Sequence, residues 1–521
     1  MKQILSLLLA LMMAVSVAAC GGSDPVVAAN DGKWITGDFH THTFLTDGSH
    51  KEEDVVGHAF DVYGLDYMMN SEHGGAYGRD TQGNPWDPSK VTILGDTAKD
   101  SSGNPLMWRW QSLRDFSYPL LFGQGGLQSK HQDKTLIQGV EWNVPTHEHA
   151  SVGIVAVTDG KPIANFEYQF DGADADKSRA GEGLVKQNAT HADAVAGAAY
   201  LEKNYTETSY FLLNHPSRKQ KYKASDIRDF NNASPHVAFG FEGIPGHQKE
   251  KARGGYDSTF YTDAGNTTVD QAKTDKARTY GGADIMIARV GGLWDSLLGE
   301  GRRFFVFVNS DFHSSADDAD FWPGEYGKTY IYAKDKSAQS VVDAMRSGNA
   351  FAVHGDLINA LDFTVSALGS APATMGEEFT ASKGSNLLIK VRFKSPARNN
   401  NGDKPSVHHV DLISGDVTGI IQPGDAKYTS DTNSSTKVIK SFTASDWTVD
   451  AEGYTTMSFV ISGVQKSIYL RLRGTNLAPN TPNETDKDGN PLKDELAGQN
   501  NKAKAYADLW FYSNPIFVKV K

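Results

Sequence analysis

Two histidines separated by one residue, His40 and His42 in GDFHTHTFLTDGSH, are followed by Asp47 in a turn-rich stretch. Side chains in a strand repeat with period two, so both imidazoles point to one side and can chelate one ion, with Asp47 in reach of the same strand end. Groups of the same chemistry recur along the chain. Glu72 and His73 follow GLDYMMNS, Glu141 ends LIQGVE, His147 and His149 precede SVGIVAV, His215 follows YFLLN, and Asp311 and His313 follow FFVFVNS. Histidine and carboxylate are borderline to hard ligands suited to zinc, iron or manganese. Delivery of such groups by several separate strand ends argues for one multinuclear site, holding two or three divalent transition metals (Mn, Fe or Zn). A metal centre of this kind lowers the pKa of a bound water, which makes hydrolysis without a protein nucleophile the chemistry to expect.

The elements that must position these groups are legible as alternation. Over 34–355, short apolar runs such as TLIQGVEW, SVGIVAV, VAFGFEG and FFVFVNSDFH are separated by longer segments of helical potential, the pattern of an α/β domain. Polar residues close each run, as at the carboxyl ends of strands in α/β barrels. Insertions at Tyr77 to Asp87, Asp171 to Thr190 and Lys249 to Tyr280 are long for plain connections and read as site walls or surface loops. Trp86, Trp108, Trp110, Trp142 and Trp294 read mostly as core. Over 356–521 the runs ALDFTVSAL, NLLIKVRFKS, VHHVDLISG and SIYLRLRG alternate strictly, which predicts an all-β, sandwich-like domain. The Asp486, Asp488 and Asn490 cluster lacks the later acid of a full calcium loop and reads as a hydrophilic turn.

The opening MKQILSLLLALMMAVSVAAC has the length of a secretory leader, and Val17-Ala18-Ala19-Cys20 resembles a bacterial lipobox. The resemblance implies a signal peptide over 1–19, a lipid on Cys20 that anchors the chain to a membrane, and a tether over 20–33. Gly21 in place of an aspartate resembles the outer-membrane sorting pattern of a Gram-negative cell, facing the periplasm or the cell surface. Cys20 is the single cysteine, so no internal disulfide can form. A formal net charge of -12 argues against a nucleic-acid backbone as partner, while a small phosphoester remains compatible because metal ions reverse the local sign. No oligomeric state follows from the sequence.

Taken in order, GDFHTHTFLTDGS, SEHGG, GVEWN with His149, NHPSR and SDFHS resemble the motifs of the PHP (polymerase and histidinol phosphatase) superfamily, in its standalone metal-dependent phosphoesterase branch. The resemblance implies a distorted (β/α)7 barrel with a trinuclear centre at its carboxyl end. It assigns His40, His42 and Asp311 to a first metal and makes Glu141 a bridge to a second, completed by His149 and His215. Asp47, His73 and His313 would hold the third. Glu72 departs from the usual aspartate of that motif and reads as an orienter of an imidazole. His147 competes with His149, with His149 favoured. Arg218 is a candidate phosphate grip, His247 a candidate general acid or substrate contact, and Glu242 a supporting residue. His50, His58, His131, His191 and His236 read as structural or surface. LRLRG and FYSNPIFVKV resemble the C-terminal β-module of some exported members.

Two other readings use the same residues. A carboxylester, carbamate or amide hydrolase keeps the metals and changes the bond, since a metal polarises a carbonyl as well as a phosphoryl oxygen. A non-catalytic surface binding lipoprotein would have a decayed barrel, but decay removes ligands and the full set is present here.

Overall fold

The computed structural model describes residues 32–256, 275–276, 278–317, 319–498 and 500–521. The leader, Cys20 and the tether up to residue 31 lie outside the described residues, as does 257–274 of the third insertion. Among the described residues no helix is long and apolar enough to cross a membrane.

The strands that carry the candidate ligands lie side by side. They are β1 (Lys33–Asp38), β2 (Tyr67–Asn70), β3 (Thr135–Asn143), β4 (His149–Ile154), β5 (Ser209–Leu213), β6 (Gly240–Ile244) and β7 (Phe305–Val308), hydrogen-bonded in the order β7-β6-β5-β4-β3-β2-β1. β1, β2 and β3 are parallel, as are β5, β6 and β7. β4 runs antiparallel to both of its neighbours, so the sheet is mixed. Its reversal matters for the site, because Asn143 at the end of β3 pairs with His149 at the start of β4. A parallel bridge between Thr41 and Phe312 joins the segments that follow β1 and β7. The His42 N–H donates to the Phe312 carbonyl at 2.8 Å, and the sheet therefore curls until its two ends meet.

Period two explains both faces of the curl. Along β3, Val140 and Trp142 pack outward with Phe166 and Phe170 of α1 (Lys161–Phe170), Ala194 and Ala198 of α2 (His191–Tyr205), and Phe230 of α3 (Ala224–Ala233). Ile137, on the other face with Glu141, joins Phe39, Tyr67, Tyr210, Phe239 and Phe307 in a buried cluster. α2 starts cleanly, because Thr190 and Asp193 form a reciprocal capping box. Trp86, Trp108, Trp110, Trp142 and Trp294 are all buried.

The architecture is two-domain, and the second domain is β-rich. β8 (Gly327–Ala333) and β9 (Ala350–His354) extend the first sheet antiparallel from β1. The second domain comprises β10 (Ala360–Ser366), β11 (Glu378–Ala381), β12 (Leu387–Lys394), β13 (His409–Asp416), β14 (Lys437–Phe442), β15 (Thr455–Ile461), β16 (Ile468–Thr475), β17 (Trp510–Ser513) and β18 (Ile516–Val520). β17 pairs with β9 through Phe351 with Ser513 and Val353 with Phe511, and the sheet continues as β17-β16-β13-β14. A second sheet is built on β10, β12 and β15. Phe363, Ile389 and Val391 from it pack with Leu412, Leu470, Leu472 and Phe511 from the first, which is a two-layer sandwich core. One of those two layers is thus continuous with the α/β domain. Asp486 closes a tight turn by accepting from the N–H groups of Asp488 and Asn490, at 2.8 and 2.9 Å.

The domains are also joined by buried charge. Arg471 of β16 grips Asp295 of α4 (Leu293–Gly299) through Nε to Oδ1 at 2.8 Å and Nη2 to Oδ2 at 2.7 Å. Arg253 likewise reaches the Asp508 carboxylate at 2.5 Å. Planar fork-to-carboxylate pairing suits such buried sites because it satisfies two donors at once.

Candidate metal centre

All the candidate ligands arrive at the end of the curled sheet where the parallel strands terminate. His40 and His42 leave β1, His73 follows β2, Glu141 lies near the end of β3, His149 opens the reversed β4, His215 follows β5, and Asp311 and His313 follow β7. His40, His42, Glu141, His215 and Asp311 are buried, whereas Asp47 is half exposed and marks the open side. The backbone bends sharply to aim these groups. His215, His247 and Asp311 have φ of 29°, 56° and 45°, left-handed conformations uncommon for such residues and concentrated at functional sites. Gly246, beside His247, approaches so closely that a Cβ would lie 1.9 Å from the Ser310 carbonyl oxygen.

Glu141 is the hub. Its Oε1 lies 3.0 Å from His40 Nε2, 3.1 Å from His149 Nδ1 and 3.3 Å from His215 Nε2. Its Oε2 lies 2.7 Å from His73 Nδ1 and 3.4 Å from His42 Nε2. Asp311 Oδ1 is 3.0 Å from His40 Nε2 and 3.2 Å from His42 Nε2. On the open side Asp47 lies 3.3 Å from His73 and 3.4 Å from His313. The residues fit a metal cluster on a test internal to the structure. His42 Nδ1 and Nε2, Glu141 Oε2, His215 Nδ1 and Asp311 Oδ1 are buried without a hydrogen bond, although unlike atoms lie nearby. Such orphaned polar atoms are costly unless they converge on a cation. Potential ligand atoms lie within 4.8 Å of one another in sets that include His42, Asp47, His73, His313; His40, His42, Glu141; His40, His215, Asp311; and His73, Glu141, His149.

The electrostatics are those of a cation cage. Burial alone would raise Glu141, but His149, His40 and His73 hold its carboxyl well below the usual range. Asp311 is held down in the same way against its burial, by His40 and His247. Burial pushes His42 well below the ordinary imidazole value, with His313 and His73 adding to it. His215 falls to about 3 through burial and the Arg218 charge. Burial would lower His40, His73 and His313 too, but their carboxylate neighbours outweigh it and hold all three above the ordinary imidazole value, His73 at about 10, so a metal would have to displace protons from these rings to bind them in the neutral form.

Outside the cage, each flanking residue has a specific contact. Glu242 accepts from His40 Nδ1 at 2.7 Å, a supporting role. Glu72 does not orient an imidazole as expected. Its carboxylate accepts from the hydroxyls of Thr43 and Thr46, so the longer side chain holds the loop that carries Asp47. His149 faces Glu141, whereas His147 turns away to the Lys221 carbonyl and His191. His247 joins the cage: Nε2 lies 2.8 Å from Asp311 Oδ2 and Nδ1 2.5 Å from Asp320 Oδ1. Arg218 reaches Glu148 at 3.1 Å and Asp311 at 3.6 Å.

Three buried acids at the site escaped the sequence reading. Asp38 accepts from the N–H groups of His40 and Ser310, tying β1 to the turn after β7. Asp320 accepts from the N–H groups of His313 and Ser314 as well as facing His247. Glu148, with Lys219 3.1 Å away, collects the charges near His215. Only the position of Asp38 beside the His-x-His pair offered any signal.

No family model matches the chain, and no curated protein matches it. Among solved structures, a two-domain protein containing a predicted PHP-like metal-dependent phosphoesterase from Bacteroides vulgatus ATCC 8482 is similar over 89% of this chain and 95% of its own. The identity is 12% and the TM-score 0.33. At that score the backbones superpose loosely, and the site's own geometry has to carry the functional reading.

Proposed function

We propose that the chain is a metal-dependent hydrolase of small phosphoesters, with the curled sheet acting as a distorted (β/α)7 barrel around a trinuclear centre. The observation that carries this reading is Glu141, one buried carboxylate within 3.4 Å of nitrogens from His40, His42, His73, His149 and His215. A carboxylate so surrounded suits a bridge between cations better than any structural salt bridge, which needs one partner. His40, His42 and Asp311 would hold one metal, His149 and His215 a second, and Asp47, His73 and His313 a third. Bound divalent metals supply Lewis acidity toward a phosphoryl oxygen and a water acidified enough to attack at neutral pH.

The chain's own residues do the rest. Arg218, fixed by Glu148, presents a guanidinium suited to two phosphoryl oxygens. His247 donates Nδ1–H to Asp320, and its Nε2–H, which now faces Asp311 Oδ2 at 2.8 Å, would reach a leaving-group oxygen only by letting go of that carboxylate. Burial opposes protonation of His247, but Asp320 and Asp311 overcome it and hold the ring well above its ordinary value. Phe39, Tyr67, Tyr210, Phe239 and Phe307 form a buried cluster with Ile137, which shares the Glu141 face of its strand, and charge interactions are stronger in such low-polarity surroundings. The lipobox resemblance adds a place of action, at a membrane surface outside the cytoplasm.

The test is hydrolysis of p-nitrophenyl phosphate, bis-p-nitrophenyl phosphate and p-nitrophenyl acetate by metal-loaded protein. Phosphoester turnover supports the proposal; turnover of the acetate alone would transfer the site to carbonyl chemistry.

A further inference from the structure

His247 stands on a turn that is closed from within and held from outside. Gln248 Nε2 donates to the Pro245 carbonyl at 2.7 Å, which closes the turn over 245–248. The His247 carbonyl accepts from the N–H groups of Glu250 and Gly254, at 3.2 and 3.1 Å, so the chain folds back over the turn. Gly255 lies against the ring, where a Cβ would meet His247 Cδ2 at 3.2 Å. A φ of 56° at a histidine is strained, and such a conformation persists only where surrounding contacts over-determine it.

Those contacts come from the second domain. Three successive carbonyls face it: Lys249 accepts from the Asn501 N–H at 3.1 Å, Glu250 from Asn501 Nδ2 at 2.6 Å, and Lys251 from the Ala497 N–H at 2.9 Å. Arg253, which is buried, then carries the link inward. Its Nη1 donates to Asp508 Oδ2 at 2.5 Å and its Nη2 to the Asp508 carbonyl at 3.1 Å, both on the second domain. Nη2 also donates to the Tyr326 hydroxyl at 2.8 Å, and Nε to Gln248 Oε1 at 2.8 Å. A guanidinium is a rigid plane, so fixing one edge on Asp508 fixes where Nε holds Gln248. The path from Asp508 through Arg253 and Gln248 ends on the turn of His247, whose Nε2 lies 2.8 Å from Asp311 Oδ2.

We propose that Arg253 is a positioning residue for His247, and that through it the second domain forms part of the site around Glu141. The inference rests on the phosphoester reading for what His247 does, namely protonation of a leaving-group oxygen, and on geometry alone for how His247 is held. An arginine that only joined two domains would have no use for Gln248, whereas here one guanidinium grips Asp508 and Gln248 together. The Arg471 to Asp295 pair joins the same two domains outside the His247 turn and serves as the control.

The test uses the metal-loaded full chain, with metal content and circular dichroism checked for every variant. Phenyl phosphate and p-nitrophenyl phosphate differ in leaving group: phenolate needs a proton as it departs, and p-nitrophenolate does not. A general acid contributes about 10²–10⁴-fold, so His247→Gln should lower kcat by that order on phenyl phosphate and far less on p-nitrophenyl phosphate. Arg253→Met should lower kcat on phenyl phosphate by at least about 10-fold, leave KM and p-nitrophenyl phosphate turnover within about 3-fold of the parent, and add nothing to His247→Gln in the double variant. Arg253→Lys keeps a charge opposite Asp508 without the fork that reaches Gln248; it should show a smaller loss of the same selectivity, and it carries the test if the methionine variant does not fold. Amide hydrogen exchange gives a reading independent of turnover: the N–H groups of Glu250 and Gly254 should exchange at least about 10-fold faster in the Arg253 variants and near the parent rate in Asp295→Ala. Equal losses on the two esters, additive losses in the double variant, or unchanged exchange would each overturn the proposal. A parent that hydrolyses neither ester would overturn the phosphoester reading instead, and faster exchange in the Arg253 variants would still uphold the grip of the second domain on the turn.

Discussion

Glu242 Oε2 lies 2.7 Å from Nδ1 of His40, and both side chains are buried. The carboxylate fixes the tautomer, because a proton held on Nδ1 leaves the Nε2 lone pair facing Glu141 and Asp311. Removing such a support typically weakens metal binding about 10–100-fold. Glu242→Ala is therefore expected to retain its fold and lose metal affinity by that factor, read by chelator competition. Unchanged affinity would remove His40 from the proposed ligand set.

Arg218 separates the two hydrolase chemistries. If its guanidinium grips phosphoryl oxygens, Arg218→Ala lowers kcat/KM for phosphoesters by about 10–100-fold, in line with roughly 1.5–3 kcal/mol for a charge-assisted hydrogen bond. Arg218→Lys recovers only part, since a point charge lacks the fork. An equal loss on a carboxylester would show that Arg218 only supports the fold through Glu148.

A buried acid group beside the second insertion contributes a fall in stability with rising pH. Burial is the main cause that raises Asp171 to about 7 and Asp174 to about 6, and it also raises Glu167, whose Oε2 makes no hydrogen bond. Acids raised in the folded state bind protons more readily there than when unfolded, so their contribution is complete below their ordinary value and is lost as pH rises through about 6 to 7. Denaturant midpoints should fall between pH 5 and 8, and Glu167→Gln should flatten that fall. A parent whose midpoint rises across this range would contradict the assignment.

The Arg471 to Asp295 pair ties the domains together. Breaking a buried pair from one side leaves an uncompensated charge and costs about 3–5 kcal/mol. Asp295→Ala should lower the melting temperature by several degrees, with Asp295→Ala/Arg471→Met less affected than the single variant. Equal stability of the single variant and the parent would place this contact outside the energetics of the interface.

Cys20 tests the anchor. The parent chain should sediment with membranes from expressing cells, and Cys20→Ala should not incorporate labelled fatty acid. Lipid labelling that survives the substitution would exclude this cysteine as the attachment point.

The sequence revealed the groups at strand ends because strand chemistry puts them there: His40 with His42, His73, Glu141, His215, and Asp311 with His313 each close an apolar run. Side-chain role was less legible than side-chain type. Glu72 looked like a partner for an imidazole, yet one extra methylene carries its oxygens to Thr43 and Thr46. Asp320 and Glu148 act through approaches that no period encodes, Asp320 by folding back over the turn that bears His313. The same holds for the sheets. Alternation marked the later strands as β, but the pairing of Phe351 with Ser513, which runs one sheet through both domains, is a contact across 162 residues of chain.

The most direct measurement is metal content by inductively coupled plasma mass spectrometry, read alongside phosphoester hydrolysis, for the parent, His40→Ala and Asp311→Asn. The account predicts two to three transition-metal equivalents at the central cluster of the parent, with turnover, and loss of both in each variant. Turnover that persists in the variants, or a parent that takes up no metal at Glu141 after supplementation with manganese, iron and zinc, would contradict it.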